Sequence, residues 1–109
     1  MTATLEQVDQ VLAALADPMR RRVLGRIAGH GRATATVLAG ELPVSRQAVV
    51  QHRALLERVG LVESLRSGRE RHYTVQPEPL TATADWMLQL ARQWDTRLAA
   101  IKALAETPE

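Results

Sequence analysis

The chain has 109 residues, no cysteine, 46% apolar residues and 24% charged ones, the composition of one ordinary globular domain rather than a disordered chain. It lacks an apolar run of about 18 residues, so no transmembrane helix is expected. Met1 to Gln10 carries neither the basic nor the apolar region of a signal peptide. The lack of thiols excludes disulfides, thiolate metal sites and cysteine nucleophiles, and fits a cytoplasmic protein.

Leu5 to Ala16 reads as a first helix. Leu5, Val8, Leu12 and Leu15 recur at spacings of three and four, with Val11 beside them. Thr4 and Gln7 have the spacing of a capping box. Asp17 and Pro18 end this helix and start the next, because Asp is a good N-cap and Pro suits the first helical position. The second helix runs from Pro18 to Ala28 and is stopped by Gly29-His30-Gly31. Met19, Val23, Leu24 and Ile27 form its apolar face, with Arg20, Arg21, Arg22 and Arg26 largely off it. Such an arginine run is more often a solvated face than a phosphate contact.

Thr34 to Glu41 is a short third helix, with Val37, Leu38 and Leu42 for burial. Pro43 disfavours helical geometry at Leu42 and makes a tight connection. Ser45 caps a fourth helix, Arg46 to Val59, and Gly60 stands where a C′ glycine belongs. The period then shortens. Leu61 to Arg66 and Arg69 to Val75 read as strands joined at Ser67-Gly68, a hairpin with a basic tip. From Leu80 to Ala105 a long helix carries a heptad seam: Leu80, Ala84, Met87, Ala91, Trp94, Leu98, Ile101 and Ala105. Trp86, Leu88, Leu90 and Leu104 lie outside the seam, so the helix is expected to bury two faces.

The third and fourth helices and their turn make a helix-turn-helix, and the hairpin after it makes a wing. Charge points to the same segment. Residues 17–76 carry eleven arginines against five acids, a local +6. Residues 1–16 and 77–109 each carry −2.

These segments have the pattern of a known family. The stretches ALADPMRRRVL (Ala14 to Leu24), LAGELPVSRQAVVQH (Leu38 to His52), LLERVGLV (Leu55 to Val62) and SGRERHYTV (Ser67 to Val75) resemble the ArsR/SmtB winged-helix repressors. The resemblance covers roughly residues 10–80. It implies a homodimeric repressor that binds a palindromic operator and is released by a signal. The expected fold is mainly α (α+β), one winged-helix domain over residues 1–109. Within it, 34–59 form the helix-turn-helix, 60–76 the wing, and 1–16 with 77–106 the dimerisation helices.

The resemblance places Ser45, Arg46, Gln47, Val50 and Gln51 in the major groove of DNA. Helical geometry agrees, since Arg46 shares a face with Gln47, Val50, Gln51 and Ala54, leaving Val49, Leu56 and Val59 for the core. Arg can take guanine O6 and N7, Gln can take adenine N6 and N7, and Val50 offers apolar contact to a thymine methyl. Ser45 suits a helix cap and a phosphate. Arg66, Arg69 and Arg71 on the wing are expected on phosphates or in the minor groove. Two positions depart from the family pattern. Val50 replaces a small polar residue, and Arg53 replaces an apolar one. Arg53 can lay its stem over apolar surface and send its head to a phosphate.

Leu5, Val8, Leu12, Met87, Ala91, Trp94, Leu98 and Ile101 are the expected dimer surface, with Trp86 and Trp94 as dimer core rather than a ligand pocket. No metal or other cofactor is expected. His30, His52 and His72 stand on a loop, a helix and a strand without ligand spacing, and the terminal helix has Asp85 and Asp95 but no His. No membrane partner and no enzymatic activity are expected, because no nucleophile has a recognisable base. The alternative is a winged-helix protein-interaction module, which would more often carry an apolar recognition face.

Overall fold

The computed structural model describes residues 4–106. The elements are α1 (Leu5–Leu15), α2 (Pro18–His30), α3 (Ala35–Glu41), α4 (Arg46–Arg58), β1 (Val62–Ser67), β2 (Glu70–Val75) and α5 (Glu78–Glu106). This is the expected mainly helical winged helix, with β1 and β2 as an antiparallel hairpin.

Local chemistry sets the boundaries. Thr4 and Gln7 form the capping box, each side chain bonding the other's backbone N–H at 3.1 Å. The Asp17 carboxylate accepts from the N–H groups of Met19 (2.8 Å) and Arg20 (3.2 Å), with Pro18 opening α2. Those bonds, the Arg20 one foremost, hold the Asp17 carboxyl below its ordinary value. Thr34 and Ser45 cap α3 and α4 in the same way. The helix-turn-helix connection is a three-residue turn about Pro43, closed by the Val44 N–H on the Leu42 carbonyl at 2.8 Å. At the end of α4, Gly60 (φ 81°) lets Leu61 N–H reach Leu56 O and Gly60 N–H reach Glu57 O, a Schellman closure.

Beyond one-residue shifts at other helix and strand ends, the structure departs from the sequence reading at α2, the hairpin turn and α5. α2 continues through Gly29 to His30 and is capped by Gly31 (φ 76°), so His30 lies on a helix rather than a loop. The hairpin turns at Gly68-Arg69, not Ser67-Gly68, with Ser67 paired to Glu70. Gly68 takes φ 62° and Arg69 does not go positive, the pattern of a type II′ turn with Gly first. α5 starts at Glu78, not Leu80. Pro79 falls in the first turn, where its missing N–H leaves no bond unmade.

The core lies among α2, α3, α4 and the hairpin. Val23, Leu24, Ile27, Leu38, Leu42, Val49 and Leu56 are buried there, and Leu61, Val62 and Tyr73 close it from the strand side. Ala33 pairs with Tyr73 through two backbone bonds of 3.1 and 2.7 Å, adding a third edge to the wing's base. Val37 departs from expectation: it is 44% exposed on the outer side of α3.

α1 packs against α2 and the start of α5. Its buried face is Val8, Val11 and Ala14, not the Leu5–Leu12 line. The reason is that α1 sits between two partners, and their shared crevice selects the 8–11–14 side. α5 spans 29 residues, about 43 Å at the α-helical rise. Only its first turns dock on the body, with Thr83 buried. From Met87 to Glu106 every residue is exposed except half-buried Leu98.

Candidate nucleic-acid interface

The α4 N-terminus and the wing tip bring most of the sequence-assigned DNA residues to the surface. Ser45 is exposed, and its hydroxyl accepts from the Ala48 N–H at 3.1 Å, fixing the start of α4. Arg46, Gln47 and Gln51 are exposed on the next turns. Val50 is half-buried and packs against the core, so it offers only part of its side chain outward. Val49 and Leu56 hold the opposite face of the helix in the core. α4 is therefore anchored by one face and leaves the two amides of Gln47 and Gln51 exposed.

The wing's register puts Arg66 directly opposite Arg71, both exposed, with Arg69 in the turn beyond them. Like charges facing each other across a hairpin are destabilising. Among the described residues no carboxylate pairs with any of the three. An anionic partner would relieve that repulsion, as a phosphate backbone does.

Arg53 does not join this surface, and its assignment to DNA is corrected. Its side chain is 11% exposed and turns back between α4 and the hairpin. The guanidinium lies over the Tyr73 ring, 5.2 Å from the centroid, and Nη1 donates to Glu57 Oε2. Arg53 Nε is buried with no hydrogen-bond partner. Glu57 also accepts from the Ser64 hydroxyl at 2.8 Å. That bond, and then Arg53, hold the Glu57 carboxyl below its ordinary value of 4.5, against the opposing effect of burial. Arg53, Glu57, Ser64 and Tyr73 thus tie the recognition helix to both wing strands.

The arginines of α2 have a role that composition did not show. Arg20 Nε donates to Ala14 O and Arg21 Nη1 to Leu15 O, both at 2.6 Å. They satisfy carbonyls at the end of α1, where backbone acceptors lack helical partners and cations are favourable. A helix end followed at once by Asp-Pro and arginines is the signal that could have found them. Arg22 and Arg26 are exposed.

The histidines are dispersed. His30 Nε2 shares a 2.6 Å hydrogen bond with Glu41 Oε1, linking the ends of α2 and α3. His72 Nε2 meets Glu70 at 3.1 Å, and His52 lies half-buried on α4. Among the described residues no three His, Cys, Asp or Glu side chains converge on a point that could hold a metal. No helix of the described residues is long and apolar enough to cross a membrane.

The expected dimer residues mostly lie on the surface. Leu5, Leu12, Met87, Ala91, Trp94 and Ile101 are exposed and Leu98 is half-buried. Val8 is the exception and is corrected: it is 1% exposed within one chain, so it belongs to the chain's own core.

Comparisons with known proteins fit this geometry. A helix-turn-helix domain model matches residues 15–64. The HTH-type transcriptional regulator Rv2034 of Mycobacterium tuberculosis is 35% identical over 105 residues, 96% of this chain and 94% of its own. The transcriptional repressor SdpR of Bacillus subtilis is 26% identical over 91 residues, covering 84% of this chain and all of its own. Among solved structures, an ArsR-like transcriptional regulator from Rhodococcus sp. RHA1 superposes with a TM-score of 0.83 at 39% identity, over 95% of this chain and 97% of the other. With the helix-turn-helix, wing and long terminal helix all shared end to end with such regulators, this chain belongs to the ArsR family of winged-helix, DNA-binding transcriptional regulators.

Proposed function

We propose that the chain is a homodimeric repressor of the cytoplasm that reads a palindromic operator with α4 and grips its backbone with the wing. The observation that carries this reading is that Gln47 and Gln51 are exposed along α4 while Arg66, Arg69 and Arg71 are exposed at the wing tip, with no ion pair among the described residues. Gln47 and Gln51 supply amides for base edges, Val50 a partial apolar contact, and Ser45 a helix start for phosphate. Arg66, Arg69 and Arg71 reach the flanking phosphates or minor groove.

The dimer reading rests on α5. Its apolar stripe runs on from the docked turns past the body, with Met87, Ala91, Trp94, Leu98 and Ile101 left for a second copy. Leu5 and Leu12 of α1 extend that surface. A two-fold dimer would set two α4 helices in successive major grooves, about 34 Å apart. The repressor assignment draws on the name of SdpR, a repressor of similar length. The chain's relatives are transcription regulators.

The test is selection of duplexes from a random pool, followed by anisotropy titration of wild type, Gln47→Ala and Gln51→Ala. Each variant is expected to lose about 1–3 kcal/mol of discrimination at its own base pair. Selection of no common sequence by the wild type, or a monomer at micromolar concentration, would sink the reading. The first result would return the chain to a protein-interaction role.

A further inference from the structure

The reading of α4 as a base-reading helix leaves Arg46 beside Gln47 and Gln51 as a guanine contact. The tertiary structure separates it from them. Arg46 is the first residue of α4, and side chains there lean toward the helix N-terminus, away from the residues that follow. Its Nε donates to Thr36 Oγ1 on α3 at 3.4 Å. There Arg46 lines a groove of about 380 Å³ between the start of α3 and the wing, together with Arg69 and Arg71. Tyr73 also lines this groove, and Arg53 lies against its ring.

Three guanidiniums border this groove, and among the described residues none of them makes an ion pair. The one carboxylate on its wall, Glu70, is turned to His72 at 3.1 Å. Cations from two separate elements that make no ion pair around one hollow, Arg71 feeling only the more distant Glu57 carboxylate, match a phosphate, whose oxygens accept forked guanidinium bonds. Resting on the proposed DNA-binding reading, we infer that Arg46, Arg69 and Arg71 form a clamp for one backbone phosphate of each half-site, and that Arg46 reads no base. Sequence readout then falls to Gln47, Val50 and Gln51. The clamp fixes the wing and the recognition helix on a common phosphate, so it sets the register in which the glutamines meet their bases.

The experiment uses the full chain and a duplex selected from a random pool by the wild type. Arg46→Ala, Arg46→Lys and Gln47→Ala are titrated against that duplex and its single-base variants at several salt concentrations. Arg46→Ala is expected to weaken all duplexes by a common factor and to lower the log–log salt slope by about 0.9 per protomer. Arg46→Lys keeps the charge and recovers most of that slope. Gln47→Ala changes the preference at one base pair and leaves the slope as it was. Ethylation of the clamped phosphate is expected to weaken the wild type more than it weakens Arg46→Ala, which keeps only Arg69 and Arg71 on that phosphate.

A changed base preference in Arg46→Ala, or an unchanged salt slope, would overturn the clamp. Inorganic phosphate separates the two sources of the anion. At matched ionic strength it should inhibit no more than chloride does. Stronger inhibition of the wild type, absent in Arg46→Ala, would give the groove to a free anion and overturn the backbone assignment. Failure of the wild type itself to select any duplex would remove the underlying reading and the clamp together, and is seen before any variant is made.

Discussion

Arg53 stacks on Tyr73 with its guanidinium carbon 5.2 Å from the ring centroid, joining the recognition helix to strand β2. The two residues are twenty positions apart and on different elements. The contact ties the wing to α4.

The Arg53–Glu57 pair is unequal in its exposure, 11% for the cation and 37% for the carboxylate. A buried charge stripped of its partner is costly, while an apolar replacement of the charge often is not. Arg53→Leu is therefore expected within about 1.5 kcal/mol of wild-type stability, since it also removes the unpartnered Nε. Glu57→Ala should cost more, about 2 kcal/mol once the carboxylate's exposure is discounted. Urea unfolding of both variants checks the order, and the reverse ranking would refute it. Arg53→Leu should also keep the wild-type salt slope for DNA, because the Arg53 guanidinium is turned inward onto Glu57 and Tyr73.

Glu57 predicts a pH dependence. Its folded carboxyl sits below the ordinary 4.5, first through the Ser64 hydroxyl. A depressed carboxyl stabilises the fold above its unfolded value and loses that contribution as pH falls through the folded value. The wild type should therefore exceed Glu57→Gln in urea midpoint at neutral pH, with the gap closing as pH drops below 4.5. A gap independent of pH would show that the carboxylate charge contributes nothing.

Ser45 caps α4 and belongs to the proposed DNA surface, and two substitutions separate the roles. Ser45→Ala should cost about 1 kcal/mol of stability through the lost cap. Ser45→Asp keeps an acceptor for the Ala48 N–H and should hold stability, yet bring a carboxylate against phosphate and weaken DNA binding. Thermal unfolding and anisotropy together decide it. Wild-type affinity in Ser45→Asp would place Ser45 away from the backbone.

The projecting half of α5 sets where the proposed dimer is expected to be sensitive. Trp94→Glu or Ile101→Glu puts a charge into the seam and should cost about 2 kcal/mol or more, over tenfold in dimer Kd. Both side chains are more than half exposed in one chain, 59% and 56%, so the folded body should survive. Leu88→Glu, one residue past Met87 and off the seam, should leave the dimer intact. Sedimentation velocity distinguishes these outcomes, and equal effects at 88 and 94 would argue against a seam.

Much of this architecture was legible in the chain because its signals are local. Thr4 with Gln7, Asp17 with Pro18, Ser45 and Gly60 set helix ends through bonds to residues two to five positions away. Period changes separated the hairpin from the helices, and charge placed the basic surface. The short shifts at Gly68 and Glu78 came from choosing between adjacent turn positions that composition does not distinguish.

Periodicity determines which residues share a face; only packing decides what covers that face. Val8 and Leu5 belong to one apolar run, yet Val8 is buried where α1 packs on the body and Leu5 is left to solvent. Long charged side chains depend on tertiary structure still more, because their heads travel several ångströms from the backbone that periodicity describes. Arg20 and Arg21 end on α1 carbonyls, Arg53 on Tyr73, and Arg46 beside the wing arginines. The sequence by itself determined the winged helix, its order and its basic surface, since these follow from neighbours along the chain. Which arginines stay free of a partner was settled by folding, because side-chain heads reach the α1 carbonyls, the Glu57 carboxylate and the Tyr73 ring only once the elements have packed.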